Sequence, residues 1–212
     1  MAEEIDVVGG WPTWVLSNHD NMRHRSRYGG SESRARAAAV LLLTLRGTPF
    51  LYAGEELGLE DAEIPPEREV DPGGRDGCRA PIPWDASATH GWEASDPWLP
   101  WPPDPDHRNA EALRADEGSI LHFYRRLLAA RKASPALQAG DLALIDDVPE
   151  GVLAWRRTRG DDVRLVAVNF GPEDASFDPG AGWVVEVASD GAGEGQPFSG
   201  PLPADAAVVL RP

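Results

Sequence analysis

A chain of 212 residues that is 42% hydrophobic and carries eight Trp has the apolar surface for a sizeable core, which excludes an intrinsically disordered protein. Its net charge of -15 leaves too few clustered Lys and Arg to grip phosphate, so neither nucleic acid nor an anionic membrane is an expected partner. A single cysteine, Cys78, excludes an intrachain disulfide and a cysteine-based metal cluster.

Residues 1 to 10 are acidic and then glycine-rich, lack a signal-peptide pattern, and read as the tail of a segment that begins earlier. The longest apolar run, residues 35–45, is too short to span a bilayer, and a cytoplasmic protein is the expectation. Thr13 to Ser17 reads as a strand that stops on the polar cluster Asn18-His19-Asp20. A carboxylate at the C-terminal end of a strand lies where α/β folds place their chemistry, and burying it is costly unless it is used or paired. The competing reading of the cluster is a loop that caps its own backbone. A basic stretch with Arg23, His24, Arg25 and Arg27 follows. Ser31 to Arg46 then reads as a helix capped by Ser31 and ended by Gly47, with Ala37, Val40, Leu41 and Leu45 on its buried face and Ala38 and Leu42 alongside. Pro49 to Tyr52 is a second strand, ending on Gly54-Glu55-Glu56. Strand, helix, strand in this order implies a right-handed crossover between parallel strands, which need cover on both faces.

Residues 58–110 form a long irregular segment dense in Pro, Gly, Asp and Trp. Trp84, Trp92, Trp98 and Trp101 argue that it is a packed excursion. Within it Arg75 and Arg79 flank Asp76, an arrangement that fits either an internal salt bridge with Asp76 or a ligand contact. Asp116 to Lys132 is a helix with Ile120, Phe123, Tyr124, Leu127 and Leu128 on one stripe, stopped at Ser134-Pro135. After Leu137 come five short β-prone runs, 142–145, 152–157, 163–169, 183–188 and 207–210, separated by Gly, Pro and Asp. They predict a small antiparallel sheet or sandwich. The domain boundaries expected are therefore 1–136 and 137–212.

Three motifs stand in order: Trp14-Val15-Leu16-Ser17-Asn18-His19-Asp20, Gly47-Thr48-Pro49-Phe50-Leu51-Tyr52-Ala53-Gly54-Glu55-Glu56, and Arg75-Asp76-Gly77-Cys78-Arg79 leading to Pro83-Trp84-Asp85. Together they resemble the C-terminal third of the α-amylase family of glycoside hydrolases, nearest its α-glucosidase and oligo-1,6-glucosidase branch. The resemblance implies an α/β fold class: strands seven and eight of a (β/α)8 barrel, followed by an all-β C-terminal sandwich. It also implies retaining hydrolysis of α-glucosidic bonds at the non-reducing end of oligosaccharides, without a cofactor for the chemistry. No convincing calcium cage is offered.

Residue by residue, the resemblance makes Asp20 the carboxylate that stabilises the oxocarbenium-like transition state and His19 a donor to the sugar hydroxyls. Arg79 and Arg75 fall in the loop that holds the terminal glucose, and Arg23 and Arg27 are read as lining the mouth, with solvated surface charge as their competing reading. Glu55 and Glu56 are read as structural. The nucleophile and acid/base signatures of strands four and five do not occur in these 212 residues. The isolated chain is thus expected to be an inactive fragment, with the missing N-terminal barrel portion as a partner. Two alternatives are kept: a non-catalytic carbohydrate-binding or structural module, and a glucosyl-transferring or isomerising relative of the trehalose synthase kind. A metal phosphohydrolase built on His19, Asp20 and His24 is disfavoured, because that chemistry wants the His-Asp pair on a helix with further ligands.

Overall fold

The computed structural model describes residues 10–212, and the acidic opening read as a tail lies almost wholly outside them. Contacts divide the chain into two compact units: Met1–Trp14, Arg36–Phe50 and Arg125–Pro212 in one, Val15–Ala35 and Leu51–Tyr124 in the other.

The order of elements follows the sequence pattern closely. Strand β1 (Thr13–Val15) is followed by a single helical turn α1 (His24–Arg27), helix α2 (Glu32–Thr44) and strand β2 (Thr48–Phe50). The two strands are hydrogen-bonded neighbours in a two-stranded sheet. Ser31 caps α2 as expected, its Oγ accepting from the Arg34 N–H at 3.2 Å. Residues 37–40 of α2 are wholly buried, whereas Leu41 and Leu45 are only half-buried. Short side chains let this helix be covered nearly all round, so its buried surface is wider than the one-face reading.

Helix α3 (Ala110–Ala115) was not foreseen; Asn109 caps it by accepting from the Ala112 N–H. Helix α4 (Ile120–Ala133) buries the expected Ile120, Phe123, Tyr124 and Leu127, while Leu128 stays exposed. Ser134 ends α4 and caps a further short helix, α5 (Pro135–Ala139), with Pro135 in its first turn, where a missing N–H costs nothing. The Ser134 Oγ donates to Asp162 Oδ2 at 2.5 Å, and that oxygen also accepts from the Ala136 N–H at 2.8 Å.

The remaining strands, β3 (Asp141–Ile145), β4 (Val152–Arg159), β5 (Asp162–Asn169), β6 (Val184–Ala188) and β7 (Ala206–Arg211), form one antiparallel sheet in the order β3-β4-β5-β7-β6. Arg159 pairs with Asp162 across a two-residue turn that begins at Gly160, whose φ of 59° suits glycine. Ala154, Leu165, Val185, Val208 and Leu210 form a core with Phe177 and Leu202 from the connecting loops. The second layer on this face is thus made of loop segments. Trp155, Val166, Val168 and Val209 are buried as well, which is why β5 and β7 read as continuous apolar runs and not as alternations. The outer side of β6 is bonded to the 195–198 segment through Val185–Gln196, Gly195–Val185 and Phe198–Trp183 backbone pairs. Among the described residues β3 has only β4 as a neighbour.

Candidate active site

The Val15–Ala35 and Leu51–Tyr124 unit holds the residues singled out from the motifs. Beyond β1 the chain turns at once, because Asn18 Oδ1 accepts from the Asp20 N–H at 2.8 Å and from Asn21 Nδ2 at 3.0 Å. The loop does cap its own backbone, and in doing so sets His19 and Asp20 at its tip. Its base is fastened by Ser17, whose Oγ accepts from the His24 N–H at 2.9 Å and lies 2.9 Å from His24 Nδ1. Arg27 adds a bond from its guanidinium to the Leu16 carbonyl.

At the tip, Asp20 Oδ1 accepts from Arg75 Nη1 at 2.7 Å and from Arg79 Nη2 at 3.3 Å. Asp20 Oδ2 lies 3.3 Å from His19 Nε2, and the two side chains are 48% and 72% exposed. Arg79 Nε also donates to the His19 carbonyl at 2.8 Å. Four of the six residues singled out in the sequence, His19, Asp20, Arg75 and Arg79, therefore meet. Of these four, Asp20 and Arg75 line an open cavity of about 580 Å³ whose wall also includes Met22, Ile64, Gly74 and Cys78.

Arg23 does not join them. It is 3% exposed, donates to the Ala53 carbonyl at 2.9 Å, and lies over the Tyr52 ring at 4.7 Å. Its backbone N–H is held by Asp61 Oδ1 at 2.8 Å. The expected mouth arginine is an internal tie, because a π face and a carbonyl at the end of the second motif absorb its charge. Burial lowers its pKa from the usual arginine value.

The arginine loop is built differently from the salt bridge considered above. Asp76 is buried and its Oδ2 accepts from the Val70 and Asp71 N–H groups at 2.7 and 2.9 Å, so it shapes the turn and bonds neither arginine. The partner is Asp71, which sequence reasoning missed. Arg75 grips it with Nε at 2.8 Å to Oδ2 and Nη2 at 2.5 Å to Oδ1, and its backbone N–H reaches Oδ2 at 3.0 Å. Those bonds hold the Asp71 carboxyl well below the usual carboxylate range and raise Arg75 above the usual arginine value. The only signal in the sequence is the four-residue spacing of Asp71 and Arg75.

Tyr52 supports the same loop, its hydroxyl donating to the Cys78 carbonyl at 3.1 Å. Gly77 is required there, since a Cβ would lie 2.7 Å from the Ala62 carbonyl oxygen. The Cys78 thiol is buried and donates to the Arg75 carbonyl, and burial pushes its pKa up, which disfavours the thiolate. Glu55 is interior too, as the structural reading expected, and burial raises its carboxyl to about 7. Among the described residues no group of three His, Cys, Asp or Glu side chains is arranged to hold a metal ion.

Residues 2–140 match the family model described as "Alpha amylase, catalytic domain". The chain belongs to the α-amylase family. Residues 137–209 match a second model, described as a domain of unknown function, DUF3459. A probable α-glucosidase of Rhizobium meliloti (strain 1021) is 37% identical over 180 residues, covering 79% of this chain and 32% of that protein. An oligo-1,6-glucosidase of Parageobacillus thermoglucosidasius is 29% identical over 199 residues, covering 79% and 35%. Among solved structures, the trehalulose synthase MutB of Pseudomonas mesoacidophila MX-45 superposes with a TM-score of 0.81 at 28% identity, over 99% of this chain and 45% of that one. The α-glucosyl transfer enzyme XgtA gives a TM-score of 0.83 at 33% identity, over 100% and 43%.

The α-amylase family chain thus spans about a third of the length of the curated relatives it matches. Its fold is the C-terminal part of a (β/α)8 barrel followed by an antiparallel β domain. Among the described residues no helix is long and apolar enough to cross a membrane.

Proposed function

We propose that residues 1–136 contribute the last strands of the catalytic barrel and residues 137–212 its C-terminal β domain, in a retaining glycoside hydrolase. That enzyme cleaves α-glucosidic bonds at the non-reducing end of oligosaccharides. The observation that carries this reading is the Asp20 carboxylate at the loop tip, bound on one oxygen by Arg75 and Arg79 with His19 against the other. A fixed negative charge at a strand end stabilises the positive charge that develops on the sugar ring as the bond breaks. Retaining hydrolysis also needs a nucleophile and an acid about 5 Å apart. Those two groups come from strands outside this sequence, and Asp20 takes neither role. His19 and the arginines meet the hydroxyls of the terminal sugar. A single unpaired cysteine agrees with the cytoplasm as the compartment.

A second reading, transfer of the glucosyl group to another sugar in place of water, is favoured by the likeness to a trehalulose synthase and to an α-glucosyl transfer enzyme. Both readings give Asp20 the same task, and product analysis separates them.

The test joins this chain to the N-terminal barrel segment of the Rhizobium meliloti relative and assays a chromogenic α-glucoside. Turnover is expected, and Asp20→Asn is expected to lower kcat by several orders of magnitude without loss of folding. A fall smaller than about tenfold, roughly 1.4 kcal/mol of barrier, removes Asp20 from the catalytic set.

A further inference from the structure

We propose that Asp71 is a positioning residue for this site: it acts through Arg75, holding that guanidinium in the orientation that delivers Nη1 to Asp20. The inference rests on the reading of Asp20 given above and goes beyond it by assigning a residue that contacts neither Asp20 nor the open mouth of the site.

The geometry of Arg75 carries the proposal. A guanidinium offers five N–H bonds in a rigid plane, so fixing one edge fixes the direction of the rest. Asp71 occupies the Nε–Nη2 edge of Arg75 in a two-point grip, at 2.8 and 2.5 Å. Nη1 then points at Asp20 Oδ1, 2.7 Å away. The same Asp71 Oδ1 lies 3.7 Å from Arg79 Nη1, beyond hydrogen-bond reach, so Arg75 is the cation that Asp71 grips.

Asp71 itself is rigid. Its side chain is 9% exposed, and its backbone N–H is bound by the buried carboxylate of Asp76. Arg75 by contrast is 41% exposed. Without the grip it is a long side chain beside solvent, with several rotamers open to it. Asp71 therefore spends no contact on substrate, and its effect on catalysis passes wholly through Arg75.

Two measurements test this. In the 212-residue chain, the Arg75 Nε–H resonance is expected to be protected from solvent exchange at neutral pH and to lose that protection in Asp71→Asn. Persistence of the protected signal in that variant overturns the proposal. In the joined enzyme described above, Asp71→Asn is expected to reduce kcat/KM by about 10- to 100-fold, the scale of a small misplacement near reacting groups. In an Arg75→Ala background the same substitution is expected to change kcat/KM by less than about twofold, as for two residues acting through one contact.

An equal loss in both backgrounds overturns the proposal, since Asp71 then acts by some other route. If Asp71→Asn does not fold, Asp71→Glu takes its place. Its longer arm keeps the charge and moves the grip, and a smaller loss that again vanishes in the Arg75→Ala background supports the proposal. Failure of the underlying reading is separate: there Asp20→Asn retains activity, whatever Asp71 does.

Discussion

His24 Nδ1 and Glu55 Oε1 lie 3.8 Å apart in the interior, and burial shifts them in opposite senses. His24 falls from 6.5 to about 4, and Glu55 rises from 4.5 to about 7. For His24 the unfolded chain binds the extra proton between those values. Its contribution to stability is present above about 6.5 and is lost as pH falls towards 4. For Glu55 the folded chain binds the extra proton. Its contribution is complete below about 4.5 and is lost as pH rises to 7. Glu55→Gln is therefore expected to raise Tm at pH 8 more than at pH 5, as read by calorimetry. An equal change at the two values contradicts the assignment. Because Ser17 ties His24 to the base of the Asp20 loop, acid weakening at His24 is also expected to loosen that loop.

Among the elements, the C-terminal end of α2 has the most unusual support. A helix leaves its last carbonyls without partners. Here Arg131 donates to the Leu43 and Gly47 carbonyls at 2.6 and 3.1 Å, Arg157 donates to the Thr44 carbonyl, and Trp14 Nε1 donates to the Arg46 carbonyl at 2.8 Å. Arg157 also reaches the Gly140 carbonyl at 3.0 Å and is itself wholly buried. Cations suit this end of a helix, where the peptide dipoles leave partial negative charge. Arg157→Met is expected to cost about 3 kcal/mol in urea denaturation, because it strands buried carbonyls. A cost below about 0.5 kcal/mol, the level of a surface substitution, contradicts that role.

The sequence announced helices α2 and α4 and all five strands of the β domain, since their apolar periods and their Gly and Pro stops are local signals. Nothing local marked Arg157 as interior, because its partners are backbone carbonyls set by the fold. The same holds at the site. His19, Asp20, Arg75 and Arg79 were legible from motifs. The Asp71 grip and the inward turn of Arg23 depend on contacts between distant segments that carry no period.

For the molecule as a whole, the chain is expected to show no glycosidase activity by itself, because the function proposed above takes its nucleophile and its acid from strands outside this sequence. Mixing it with a separately expressed piece carrying the other barrel strands is expected to restore turnover that Asp20→Asn abolishes. Turnover by the 212-residue chain alone, free of contaminating glucosidase, would contradict the proposed division of roles. Val15 and Phe50, on the two barrel strands, are each about half exposed, and such residues favour self-association of an isolated barrel segment.

The β domain limits such association in its own way. A sheet grows by adding strands to an edge whose N–H and C=O groups are unpaired. The β6 side is already occupied by the 195–198 segment, and a bulge between Val185 and Val187 bends its ladder. Among the described residues, β3 is left to accept a strand. Two copies meeting there consume the single open edge of each, so the union closes on itself at a dimer. A fibre needs two open edges per copy, and among the described residues this sheet shows one.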